Sequence, residues 1–412
     1  MSNTPWKSSQ WYTSPWNFAE ELKSELNFAP QIKFHDVSLR DGEQQASLVF
    51  SKDQKIALAE KMAEMGIHRI EAGMPAVSKQ DAAAISAIVK MNLGPDIYAF
   101  SRCMKEDVKR AVDTGVKHIV IEIPASEHIV ENAYKWDMQK AIDLSIEATR
   151  FAKDNGLYTV FFPIDGTRAE INTFLNLIQK VETEGHMDAL AVVDTFGGLA
   201  PHSCRYLIRQ IKKRIAKPIE THFHDDFGLA AANTIMALTA GAEVAHTTIS
   251  AIGERAGNAP YEDIALSLLT MYGIDTGLKY DKMFGLSKFL RDMCGLNIRQ
   301  NRGIIGDDIH KIESGIIADW FKNASETAPL ELSPYLYSLT GHPGPEVVLG
   351  KNSGVANVDI WLKKLDLDPI DDKDLKLEIV GKVKDKSFAK SGLLTADEFR
   401  FIVHEVTGKD KA

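Results

Sequence analysis

The sequence predicts an α/β protein whose main domain is a (β/α)₈ TIM barrel, followed by a smaller α+β C-terminal extension. Two observations predict it. Short β-branched or apolar runs alternate with helical periodicity from about residue 31 to about residue 275, and the alternation repeats eight times. Such alternation gives parallel strands with helical crossovers, and eight units close into a barrel of ~250 residues. An open doubly wound sheet usually has fewer units, and no Gly-x-Gly-x-x-Gly follows the first strand.

The expected strands are Ile32–Ser38, Arg69–Ala72, Ile97–Ser101, His118–Ile123, Tyr158–Phe162, Ala189–Val193, Ile219–Phe223 and Ala245–Ile249. Amphipathic stretches such as Lys52–Met65 and Met138–Asn155 lie between them. Gly66, Gly115, Gly156, Gly185 and Gly241 fall where left-handed helix C-caps are expected. Residues 1–30 form an N-terminal arm holding Trp6, Trp11 and Trp16, whose aromatics are expected to pack on the barrel or on a neighbouring subunit. The barrel occupies residues 31–280, and residues 281–412 form a C-terminal linker and subdomains.

Hydrophobic content of 44% and charged content of 25% are ordinary for a globular protein. A net charge of −9 argues against nucleic acid as the main partner, because phosphate binding needs a basic footprint. Cys103, Cys204 and Cys294 lie far apart and form no Cys-x-x-Cys, which fits a reducing, cytoplasmic compartment. No apolar run reaches the ~18 residues of a membrane span.

Catalytic residues of such barrels sit where strands end and βα loops begin. Strand 1 closes on Leu39-Arg40-Asp41-Gly42-Glu43-Gln44, where Arg40 and Asp41 read either as a structural ion pair or as a fixed positive charge beside a hard oxygen ligand. Strand 7 closes on Thr221-His222-Phe223-His224-Asp225-Asp226. Alternation along the strand sends His222 and His224 to one side as a pair of imidazole ligands. Asp225 or Asp226 is expected to hold a ring N–H. Strand 8 closes on Gly253-Glu254-Arg255-Ala256-Gly257-Asn258, a tight glycine loop in which Glu254 and Arg255 pair locally. Strands 7, 8 and 1 are neighbours in a closed barrel, so Asp41, the two histidines and Asn258 can meet at one point. That mixed N/O set suits Mg²⁺, Mn²⁺ or Zn²⁺ as a Lewis acid on a carbonyl. Glu71, Arg102 and Asp194-Thr195 end strands 2, 3 and 6 and would line the same cavity, with Thr195 able to bind a substrate carboxylate.

These stretches resemble the metallolyase barrels that include isopropylmalate, homocitrate and Re-type citrate synthases, with hydroxymethylglutaryl-CoA lyase as a more distant member. Leu39–Gln44, Ile70–Ala76, Asp194–Gly197, His222–Asn233 and Gly253–Asn258 carry the resemblance. Glu313-Ser314-Gly315-Ile316 and Leu349-Gly350-Lys351-Asn352-Ser353-Gly354 extend it into a region that the lyases lack, which favours the synthase branch.

The resemblance implies a Claisen condensation of acetyl-CoA, or another acyl-CoA, with a small 2-oxo acid in a homodimer. It further implies a divalent metal on Asp41, His222, His224 and Asn258, a preorganised catalytic charge from Arg40, and substrate contacts from Gln44 and Thr195. From their places at the ends of strands 2 and 3, Glu71 is taken as catalytic and Arg102 as substrate-binding. This chain departs from the family pattern twice. Ile317 stands where the synthases carry their proposed base histidine, leaving the nearby His310 as a substitute. Val160 stands where homocitrate synthases carry an arginine for the far carboxylate of 2-oxoglutarate, which argues against homocitrate synthase proper; Met74 and Phe162 suggest an apolar pocket wall. A carbon–carbon lyase splitting a 3-hydroxy acid or its CoA thioester is the second enzymatic reading, and a non-catalytic binding protein is the third.

Overall fold

A computed structural model describes residues 4–408 of the 412. The described chain divides into two compact units, Pro15–Ile298 and Met1–Ser14 with Arg299–Ala412.

The first unit is built on a closed barrel of eight parallel strands in sequential order. They are β1 (Lys33–Asp36), β2 (Arg69–Glu71), β3 (Asp96–Arg102), β4 (His118–Pro124), β5 (Tyr158–Ile164), β6 (Ala189–Asp194), β7 (Ile219–Phe223) and β8 (Val244–Thr247). Closure is made by β1 on β8, with Phe34 opposite Ala245 and His35 opposite His246. Helices follow each strand, beginning with α1 (Lys52–Met65), which has a Ser51–Gln54 capping box and stops at the left-handed Gly66. Gly115, Gly156 and Gly241 also have positive φ, as expected. Gly185 does not: its φ is −99°, and it is needed instead for space, since a Cβ there would lie 2.8 Å from Thr149 Oγ1.

The barrel interior is apolar in one layer and polar in the next. Tyr98, Phe100, Val120, Val160, Phe162 and Val193 belong to one buried cluster. Beside it runs a buried polar string that the sequence reading does not anticipate. Arg69 donates to Glu220 at 2.6 Å, Glu220 meets His246 Nε2 at 2.6 Å, and His35 lies 3.8 Å from Glu220 and 3.4 Å from Glu71. Burial pushes the Glu220 carboxyl up, but the His246 hydrogen bond and the Arg69 charge outweigh it and hold the group at about 2. Arg69→Met strands that carboxylate in the core, so we expect a loss of about 3–5 kcal/mol in denaturant unfolding. A loss below about 1 kcal/mol, the value of an exposed pair, would contradict the buried pairing.

Asp36 ends β1 with Oδ1 accepting from Ser38 N at 2.8 Å and Oδ2 without a partner. Burial raises its carboxyl to about 7. Between pH 4 and 7 the unfolded chain therefore loses this proton while the folded chain keeps it, and stability falls as pH rises. Asp36→Asn removes that dependence. The stability gap between variant and wild type should widen in the variant's favour by up to about 1.4 kcal/mol per pH unit across this window and then level off. A gap that stays constant in unfolding measurements from pH 4 to 8 would contradict the assignment.

The second unit has one short parallel pair, Lys311–Ile312 with Glu346–Val347. Four helices, Gly315–Ala324, Val355–Lys364, Lys373–Lys390 and Ala396–Thr407, enclose a core around Trp361, Val383 and Phe399. Its two motifs interlock. Glu313 Oε1 accepts from Asn352 N, Asn357 Nδ2 donates to Glu313 O, and a Cβ on Gly315 would come within 2.9 Å of the Gly354 backbone. Trp11 pairs with Tyr335 within this same unit, and Trp16 is exposed. Among the described residues, no helix is long and apolar enough to cross a membrane.

Candidate active site

The mouth of the barrel is assembled from the loops after β1, β7 and β8. After β1, the amides of Arg40, Asp41 and Gly42 all donate to Val37 O, at 3.1, 2.9 and 3.0 Å, coiling the chain into a tight turn. Gly42 is required there, since a Cβ would meet Ile252 at 2.8 Å. The buried ammonium of Lys55 fastens the turn from outside, donating to Leu39 O and pairing with Glu43 and Asp81. After β8, a Cβ on Gly257 would overlap Ala251 O at 1.8 Å, which explains the glycine in Gly-Glu-Arg-Ala-Gly-Asn. Arg255 pairs with Glu254 as expected, and also forks onto Asp226 of the β7 loop at 2.8 and 2.9 Å.

These constraints bring Asp41, His222, His224 and Asn258 together. Asp41 Oδ2 lies 3.0 Å from His222 Nε2 and 3.5 Å from His224 Nε2, and the backbones of His224 and Asn258 pair directly. All four residues are buried. Asp41 Oδ2 and Asn258 Oδ1 are buried without a hydrogen-bond partner, and ligand atoms of Asp41, His222 and His224 lie within 4.8 Å of one another. Burial pushes His222 down to about 4 and lowers His224, leaving neutral imidazoles that can ligate. Burial would raise Asp41, but the Arg40 charge and the two histidines hold it well below the usual carboxylate range. The donor set fits a divalent metal.

Asp226 is committed to Arg255 and does not orient a ligand; His224 Nδ1 has no hydrogen-bond partner, and His222 Nδ1 faces His246 Nδ1 at 3.4 Å. His35, Glu220 and His246 form a second group of potential ligand atoms, but Arg69 already neutralises Glu220.

Arg40 is clamped beside the cluster. Its Nε donates to Glu71, its Nη1 lies 3.3 Å from Asp41, and its guanidinium sits 3.9 Å over the Phe100 ring. Arg102 is half exposed and paired with Asp107 at 2.6 Å. Thr195 Oγ1 accepts from Asp165 N at 2.7 Å, and Gln44 is exposed on the turn after Asp41. Arg168 forks onto Asp165, and Val160 is fully buried in the interior. His310 belongs to the second unit. It lines a cavity of about 300 Å³ there, its Nε2 is buried without a hydrogen bond, and its ring packs 5.0 Å from His342.

One mouth residue escaped the sequence reading. Glu122 interrupts the apolar β4 run and pairs in register with Arg102 and Phe162. The signal was available: a lone carboxylate in His118-Ile-Val-Ile-Glu-Ile123.

The closed eight-stranded barrel, with a cluster at its mouth that could hold a divalent metal, defines a (β/α)₈ barrel protein with its site at the strand ends. Residues 31–290 match the HMGL-like family, and the chain belongs to that family, on its synthase branch. It is 32% identical to homocitrate synthase AksA of Methanothermobacter thermautotrophicus over 92% of this chain and 94% of that one. It is 35% identical to a probable 2-isopropylmalate synthase of Ignicoccus hospitalis over 91% and 92%. A putative (R)-citramalate synthase CimA of Archaeoglobus fulgidus is 36% identical over 81% and 68%. Among solved structures, Bacillus subtilis HMG-CoA lyase aligns with a TM-score of 0.60 at 20% identity, over 66% of this chain and 97% of that one, which is a likeness of fold.

Proposed function

We propose that this protein condenses acetyl-CoA, or another acyl-CoA, with a 2-oxo acid to give a 2-hydroxy di- or tricarboxylate and free CoA. The observation that carries the reading is the clamped Arg40 guanidinium beside the Asp41, His222, His224 and Asn258 donors, in a chain related to synthases over most of its length. A divalent metal held by those four residues would supply Lewis-acid polarisation of a carbonyl. Arg40, fixed by Glu71 and by Phe100, presents positive charge where the ketone oxygen becomes an alkoxide. Phe100, Phe162 and Met74 offer an apolar wall, and Gln44, Arg102 and Thr195 are the polar contacts proposed for the substrate.

In the balanced reaction a methyl C–H bond of acetyl-CoA breaks and its electron pair forms the new C–C bond. The ketone oxygen takes up a proton, and water cleaves the thioester. The test incubates the protein with acetyl-CoA, Mg²⁺ or Mn²⁺ and a panel of 2-oxo acids, following free thiol. CoA release that needs one of the 2-oxo acids is the expected result. Cleavage of a hydroxyacyl thioester with no such release would support the lyase reading instead.

A further inference from the structure

We infer that Glu122 is the catalytic proton acceptor at this barrel mouth, taking the methyl proton of the acyl donor. The inference rests on the condensation proposed above.

Its position comes from strand alternation. Val120 points into the barrel with Phe100, Val160 and Phe162, so Glu122, two residues further along β4, shares that inward face at the mouth. Its neighbours in register are Arg102 on β3 and Phe162 on β5, and the Phe162 ring is 4.8 Å from that of His222. The side chain is therefore next to the place where Arg40 and the metal donors converge.

The other carboxylates there are committed. Glu71 is fully buried, with one oxygen on Arg40 and the other 3.4 Å from His35. Asp41 belongs to the donor set, Asp194 accepts from Thr167 and Leu199, and Asp165 is forked by Arg168. Glu122 carries no hydrogen bond or ion pair among the described residues. A free, partly buried carboxylate beside the reaction centre is what proton abstraction requires.

The charges around it support the role. Burial, with help from Asp41 and Glu71, raises its carboxyl to about 7 against the pull of Arg40 and Arg102; Tyr134 also lies within its field. A base of that strength is matched to work near neutrality. The proton balance is simple: the C–H bond breaks, its electron pair delocalises onto the thioester carbonyl, and the proton goes to a Glu122 oxygen. The position of Ile317 then needs no histidine.

The test compares wild type, Glu122→Gln, Glu122→Asp and His310→Ala, each checked for metal content and melting temperature. Glu122→Gln should lower kcat by ~10²–10⁴-fold. KM for both substrates should stay within about threefold, and the isotope effect with methyl-deuterated acetyl-CoA should rise. Glu122→Asp should recover part of the rate. A Glu122→Gln enzyme with kcat within about threefold of wild type, or with only KM for the 2-oxo acid raised, would overturn the assignment. So would loss of kcat in His310→Ala alone. A wild type that releases CoA with no 2-oxo acid would overturn the condensation itself, and the Glu122 role with it.

Discussion

Arg40→Gln is expected to lower kcat by ~10²–10³-fold without reducing the content of the divalent metal proposed at the mouth. The guanidinium is preorganised from three sides, by Glu71, by Asp41 and by the Phe100 face 3.9 Å away. Glutamine supplies neither charge nor fork, so charge growing on the ketone oxygen goes uncompensated. It also leaves Glu71 buried without its cation, and unfolding should register a loss of about 3–5 kcal/mol. Arg40→Lys separates the two effects. It restores a positive charge near Glu71, and with it part of the stability. A point charge cannot span Glu71, Asp41 and the reacting oxygen together, so the rate should remain low. A lysine variant with wild-type kcat would show that charge alone suffices.

Asp41→Ala should have the larger effect. It removes the oxygen that lies 3.0 and 3.5 Å from the two imidazoles, and bound metal should fall from about one ion per chain to a trace, with activity lost in step. His35→Gln is the control, because His35 belongs to the other buried group, beneath the mouth. It should keep the metal. If His35→Gln loses metal and Asp41→Ala retains it, the ion sits in the barrel interior and the mouth is not the metal centre.

Much of this site was legible in the sequence because its parts are local. Asp41 follows Arg40 directly, and His222 and His224 alternate on one strand, so period-two geometry aligns them without knowledge of the fold. Counting eight βα units then placed strands 7, 8 and 1 side by side, which joined Asn258 to the set. The polar string was not legible. His35, Arg69, Glu220 and His246 come from β1, β2, β7 and β8, and only the closed barrel brings them together. Glu122 was passed over because a carboxylate inside an apolar strand reads as an outward-facing residue until the register on both sides is known. Of the two carboxylates expected to hold a ring N–H, Asp225 or Asp226, the second is taken up elsewhere for a related reason: sequence proximity suggests it for a ligand, while Arg255 of the next loop reaches it.

The central claim is that a carbon–carbon bond forms between an acyl donor and a 2-oxo acid at this mouth. Mass spectrometry of the product made from acetyl-CoA labelled with carbon-13 at both acetyl carbons tests it most directly. The account predicts a hydroxy acid that carries both labelled carbons joined to the intact skeleton of the 2-oxo acid, appearing as CoA is released. Label recovered only as free acetate, with the 2-oxo acid unchanged, would contradict it.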